Sequence, residues 1–228
     1  MISAEGLYEL LLHGYGQPRW WSEDPFTVMV QAILVQNTAW RNVEKASALI
    51  GDMMSPDGLG RMNEEEMESL IRPCGFQKAK ARTIRSVAEW FRTYSYDAAK
   101  ASDNPTASLR SELLDIKGIG EETADAILVY AIRKPSFIID AYTRRLLGRL
   151  GYGFQEDREI RQFFEAGLPQ DARLYGYFHW LILDHCITCC RKTAICDHCP
   201  IAAHCRQAST ALAIGSIDPG SMKSTTEP

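Results

Sequence analysis

The chain predicts an all-α fold. Three observations carry that expectation. Apolar residues recur at three- and four-residue spacing, strict alternation of apolar and polar residues is almost absent, and helix-start signals precede several periodic stretches.

In chain order, residues 3–13 form a short amphipathic helix, followed by a Gly/Pro-rich loop with two adjacent tryptophans, Trp20 and Trp21. Pro25 opens the apolar helix PFTVMVQAILVQ, because proline suits a first helical position. It ends in the polar Gln36-Asn37-Thr38, where Thr38 is placed to cap the helix AWRNVEKASALIGDMM. Asn63 caps EEEMESLI, whose first-turn acids suit the helix dipole. Arg72-Pro73-Cys74-Gly75 is a turn. Residues 77–94 make a basic amphipathic helix, with Lys78, Lys80, Arg82 and Arg85 expected on a solvated face.

A helix over 106–115 enters a tight Gly118-Ile119-Gly120 turn, and a second helix begins at once. Two glycines there let backbone N–H groups at a helix N-terminus approach an anion. Asp140 closes the apolar run that follows, and a carboxylate emerging from apolar surroundings is a catalytic candidate. It also precedes a helix over 141–150 and so suits an N-cap; the two roles are compatible. Further helices fall near 156–166 and 171–185, and 209–228, rich in Ser, Thr, Pro and Gly, is a loose tail.

No apolar run reaches the ~18 residues of a membrane span, and the N-terminus lacks the basic start and cleavage site of a signal peptide. The expected location is the cytoplasm, at the nucleoid in a bacterium. The net charge of −4 does not advertise a nucleic-acid partner, yet a basic face can sit on an acidic protein. Of seven cysteines, Cys74 stands alone and six lie between 186 and 205, which points to metal rather than disulfides. Six, two and five residues separate Cys189, Cys196, Cys199 and Cys205 in turn. Four thiolates suit either zinc or a [4Fe–4S] cluster, and a single compact run favours the cluster. Cys186 and Cys190 are then spare, as small buried hydrophobes.

These features together resemble the endonuclease III superfamily of DNA glycosylases. The glycine turn looks like its helix-hairpin-helix, and Asp140, eighteen positions after Glu122, matches its spacing from hairpin lysine to catalytic aspartate. The cysteine run is similar to its [4Fe–4S] loop, and LVQNT to its gap-filling loop, with Gln36 in the inserting position beside Asn37. The resemblance covers about residues 25–206. It implies two helical domains with the active site in the cleft between them: 25–135, carrying the hairpin, and 1–24 plus 136–208, carrying the cluster. It also implies that Lys117, Gly118, Gly120 and Thr123 bind DNA, that Arg191 and Lys192 touch phosphates, and that the hairpin holds a monovalent cation.

The departures set the expected activity. Bifunctional members carry a lysine where this chain has Glu122, and a glutamate cannot form the imine that leads to strand cleavage. Tyr142 and Lys117 replace the family's histidine and proline. With Trp20, Trp21 and Trp40 these features resemble the 3-methyladenine glycosylase branch. The expectation is a monomeric, monofunctional glycosylase acting on an alkylated base in double-stranded DNA, without membrane partners. Asp140 would stabilise the sugar cation; Trp20, Trp21, Trp40 and Tyr142 would form the base pocket. The alternatives are mismatched thymine or uracil, oxidised bases, lyase activity through another amine such as Lys117, or a non-catalytic DNA-binding iron–sulfur protein. Arg144, Arg145 and Arg149 are read as partly structural.

Overall fold

The computed structural model describes residues 1–209; the tail expected over 209–228 lies outside them beyond Ser209. Among the described residues every regular element is helical and none is a strand. The helices are α1 (Ala4–Tyr15), α2 (Pro25–Leu34), α3 (Trp40–Ile50), α4 (Pro56–Arg61), α5 (Glu64–Ile71), α6 (Gln77–Thr93), α7 (Ala98–Ser102), α8 (Thr106–Leu114), α9 (Glu121–Ala126), α10 (Ala141–Leu150), α11 (Asp157–Gly167) and α12 (Ala172–Thr188). None is long and apolar enough to cross a membrane.

The chain divides into two compact units. The larger comprises Arg19–Ile139 and Pro169–His179. The smaller comprises Met1–Pro18, Asp140–Leu168 and the described part of Trp180–Pro228.

In the larger unit α2 is the central helix. It buries Phe26, Val28, Met29, Val30, Ala32, Ile33 and Leu34, so it is apolar around most of its circumference, as a core helix must be. Asp24 caps it by accepting the Thr27 N–H at 2.7 Å, and Pro25 supplies the first turn. Asn63 and Glu66 close a reciprocal capping box on α5. Thr38 does not cap α3: the residue at that cap is Ala39, which makes no side-chain cap bond, and the Thr38 hydroxyl accepts from Asn42 Nδ2 at 2.8 Å instead. Nor does α3 run on to residue 54. Gly51, with φ 55°, ends it, and a short 3₁₀ turn, Gly51–Met53, follows.

The expectation of a solvated basic face on α6 fails at two of its four residues. Lys80 is 3% exposed, and Arg85 Nη2 is bonded to the Met62 carbonyl at 2.6 Å. Elsewhere α6 buries Ala81, Thr83, Ile84, Val87, Trp90 and Phe91. Trp90 Nε1 and the Tyr94 hydroxyl both donate to Glu112 at 2.7 Å, which ties the end of α6 to α8.

In the smaller unit Ser3 caps α1, and Ala4 lies against Gly167 of α11. Glu156 and Glu159 close a capping box on α11, and Tyr152 and Phe154 stack on each other against the tilted ring of Phe163 on that helix.

Candidate functional site

The hairpin lies in the larger unit. α8 leads through Lys117, Gly118, Ile119 and Gly120 into α9. Gly118 has φ +98°, and a Cβ there would overlap Thr83 Oγ1. Both facts require glycine. Thr83 Oγ1 lies 3.1 Å from the Lys117 carbonyl, so α6 supports the turn from beneath. Gly120 is the α9 N-cap and no side chain caps the helix, which leaves its first turn suited to an outside acceptor. Arg110 of α8 clamps Asp125 of α9 at 2.8 Å, and Ser136 donates to the same carboxylate oxygen at 2.6 Å. Asp125 is 1% exposed, so the two hairpin helices are joined by an ion pair whose carboxylate is desolvated. Glu121 pairs with Arg110 at 3.3 Å from an exposed position, and Glu122 is exposed on the first turn of α9.

Two loops flank the hairpin. In the first, Gln36 Nε2 donates to the Gly118 carbonyl at 3.0 Å and to Thr123 Oγ1 at 2.9 Å. The Gln36 side chain is therefore engaged with the hairpin, while Asn37 is exposed in a left-handed conformation, φ 54°. In the second, Phe76 holds φ 50° and is 69% exposed. Sequence reasoning passed over Phe76. Its signal was a lone aromatic following Pro73-Cys74-Gly75, at the start of a helix. Lys80 Nζ reaches both loops, donating to the carbonyls of Leu34 at 2.9 Å, Gln36 at 2.8 Å and Cys74 at 2.9 Å.

Trp20, Trp21 and Trp40 come together in the larger unit. Trp21 packs edge-on to Trp40 and to Tyr130, with centroids 5.5 and 5.2 Å apart, and Trp20 lies 5.0 Å from Tyr130. Tyr130 rides on a single π-helical turn, Ile127–Ala131, that continues α9. Its hydroxyl donates to the Gly176 carbonyl at 2.7 Å and lies 3.0 Å from His179 Nδ1. Gly176 is glycine because a Cβ there would meet both Trp20 and Tyr130. The face of Trp20 carries the Arg133 guanidinium, 4.0 Å from the ring centroid. Trp40, 38% exposed, is the open member. Tyr142 belongs to the smaller unit, where Arg145 sits 4.9 Å from its ring centroid.

Asp140 begins the second segment of the smaller unit. Only 4% exposed, it is the N-cap of α10, with Oδ1 accepting the Thr143 N–H at 2.7 Å.

The cysteine loop lies in the same unit. Cys189, Cys196, Cys199 and Cys205 line one small pocket together with Cys190, His185, Leu146, Ile195 and Ile201. The chemistry of four thiols on one apolar wall fits the iron–sulfur group. Among the described residues no three His, Cys, Asp or Glu groups converge on a single-ion site. Cys190 is engaged otherwise, with Arg149 Nη1 3.2 Å from its sulfur. Hydrogen bonding to Cys186 and to Arg149 pulls the Cys190 thiol down in pKa, and the same pairing pushes Cys186 up. Arg145 bonds the Cys190 and Cys186 carbonyls, and Arg149 those of Arg191 and Lys192, so both arginines hold loop backbone. Arg144 pairs with Asp157. Arg191 and Lys192 are exposed. The Tyr15 hydroxyl lies 2.8 Å from His185 Nδ1 and 3.4 Å from Cys189 Sγ.

The model of the HhH-GPD superfamily base excision DNA repair protein matches residues 30–170. The chain belongs to the HhH-GPD superfamily. A putative DNA repair glycosylase of Methanocaldococcus jannaschii is 41% identical over 206 residues, covering 87% of this chain and 94% of the relative. Among solved structures, an H. pylori 3-methyladenine DNA glycosylase bound to 1,N6-ethenoadenine superposes with a TM-score of 0.67 at 27% identity, over 80% of this chain and 96% of that one. A trapped endonuclease III–DNA covalent intermediate gives 0.74 at 20% identity, over 93% and 100%; at that identity it shows the fold. As an HhH-GPD protein the chain is a DNA glycosylase of base excision repair, and DNA is its partner.

Proposed function

We propose that this chain is a monofunctional glycosylase that removes an alkylated, 3-methyladenine-like base from double-stranded DNA and leaves the strand intact. The observation that carries the reading is Glu122. It stands exposed on the first turn of α9, where the resemblance puts the lyase lysine, and it offers no amine.

The chemistry asks for a cation-stabilising carboxylate and a π-surface for the base. Asp140, buried and capping α10, takes the first role: it faces the developing oxocarbenium charge and orients the attacking water. An alkylated purine is cationic and already a good leaving group, so no strong general acid is needed. An indole face attracts such a base by ~0.5–2 kcal/mol. Trp40 and the Trp21 edge beside it are the accessible part of the pocket, since Arg133 covers Trp20. That the H. pylori neighbour is a 3-methyladenine glycosylase supports this substrate class.

The flipped nucleotide leaves a hole. Gln36 is tied to Gly118 and Thr123, and we assign the plug to exposed Asn37 and the opposing wedge to Phe76. The amides of Gly118 and of Gly120 to Thr123 take a phosphate, with a monovalent cation on the hairpin carbonyls, and Lys117, Arg191 and Lys192 add charge along the backbone. Cys189, Cys196, Cys199 and Cys205 would hold a [4Fe–4S] cluster, which when bound supplies a covalent staple for the loop and a redox-active centre. The protein works as a monomer.

The test is a panel of duplexes, each with one lesion: 3-methyladenine, 1,N6-ethenoadenine, a T·G mismatch, uracil and 8-oxoguanine. Release of an alkylated adenine with the abasic strand unbroken is expected. Preferential release of thymine, uracil or 8-oxoguanine overturns the substrate assignment.

A further inference from the structure

One buried ammonium holds the loops of both insertion candidates. Lys80 is 3% exposed, and its Nζ donates to the carbonyls of Leu34, Gln36 and Cys74 at 2.8–2.9 Å. Three donors meet three acceptors, so the ammonium is fully satisfied without water. Burial pushes the Lys80 pKa down, and the neighbouring Cys74 opposes that shift.

The choice of carbonyls matters. Gln36 O belongs to the peptide unit that leads into Asn37, and Cys74 O lies two residues before Phe76. Asn37 and Phe76 hold φ of 54° and 50°, a left-handed region that non-glycine residues occupy under strain. Such conformations persist where the surroundings over-determine them. The Gln36 side chain on Gly118 and Thr123, Asn42 on Thr38, and the Cys74 thiol on the Asn42 carbonyl at 3.3 Å add to the restraint. If either loop shifted alone, a buried ammonium would lose an acceptor, which is costly. The two loops are therefore coupled through one charge. Thr83, three residues on and on the same face of α6, meets the Lys117 carbonyl, so one helix face sets both loops and the hairpin.

We propose that Lys80 is a positioning residue that presets Asn37 and Phe76 jointly for entry into the duplex. The proposal rests on the insertion reading given above.

The experiment measures single-turnover excision of one alkylated base in two contexts, paired with thymine and opposite an abasic site, where no partner base has to be replaced. Lys80→Met should slow excision from the paired duplex by about ten-fold or more and leave the abasic context within about three-fold. Asn37→Ala should show the same bias, and adding it to Lys80→Met should cost little more, as expected of residues acting as one unit. Equal loss in both contexts from Lys80→Met, with Asn37→Ala still biased, overturns the role of Lys80 and leaves the insertion reading standing. Unchanged paired-duplex excision in both Asn37→Ala and Phe76→Ala overturns the insertion reading itself. If Lys80→Met does not melt cooperatively, Lys80→Gln, which keeps two donors, is expected to show the same bias at smaller size; its equal loss in both contexts also overturns the proposal.

Discussion

Thr83 fills the space that a Cβ on Gly118 would need, and its hydroxyl lies 3.1 Å from the Lys117 carbonyl. The hairpin is thus shaped from below by α6 as well as by its own glycines. Gly118→Ala should suffer twice, from the overlap and from φ +98°. Strain of about 1–3 kcal/mol is expected, seen as a lower Tm and an affinity for undamaged duplex weaker by about ten-fold or more. Fluorescence anisotropy and thermal melting read both. Wild-type binding by Gly118→Ala would mean the turn does not hold phosphate as described.

Asp140 caps α10 and is assigned to catalysis, and one substitution separates these roles. Asparagine caps as well as aspartate, but it carries no charge to set against the sugar cation. Asp140→Asn should retain its Tm while the single-turnover rate falls by about 100-fold or more. A full-rate Asp140→Asn protein would remove the carboxylate from the mechanism.

Cys189, Cys196, Cys199 and Cys205 line one pocket, and Cys190, which lines it too, meets Arg149. Cys205→Ala should abolish the brown colour of the anaerobically purified protein, and Cys186→Ala should keep it. Iron and zinc analysis decides between the two four-cysteine groups. A colourless protein with one zinc per chain would replace the cluster assignment.

Burial and its bond to Glu112 raise the Tyr94 pKa to about 12 from 10.0. The folded state then binds the phenolic proton more tightly than the unfolded state. This stability is fully present below about pH 10 and is lost as pH rises towards 12. Tyr94→Phe should lose that alkaline step, and urea midpoints at pH 8, 10 and 11 should fall less steeply than in the wild type. Parallel pH dependence in the two proteins would contradict it.

What the sequence disclosed depended on the range of each interaction. Asn63 could be identified as a cap because its partner, Glu66, is three residues away. The α10 cap and the cysteine run are equally local. Lys80 reads as solvated in the sequence because its partners at Leu34 and Gln36 lie 46 and 44 positions away and are backbone carbonyls, which leave no mark in the residue pattern. Gln36 is bound to groups 82 and 87 positions on, so its engagement was equally hidden. The tryptophans were recognisable as aromatic candidates, but their assembly around Tyr130 depends on a π-turn and on Gly176, which only the folded chain brings together.

The central claim is that Glu122 limits the reaction to base removal, and borohydride trapping tests it most directly. Wild-type protein incubated with an alkylated duplex and sodium borohydride should release the base and give no covalent protein–DNA adduct. A trapped adduct, on any lesion the protein excises, would show an amine at the sugar carbon and contradict the account.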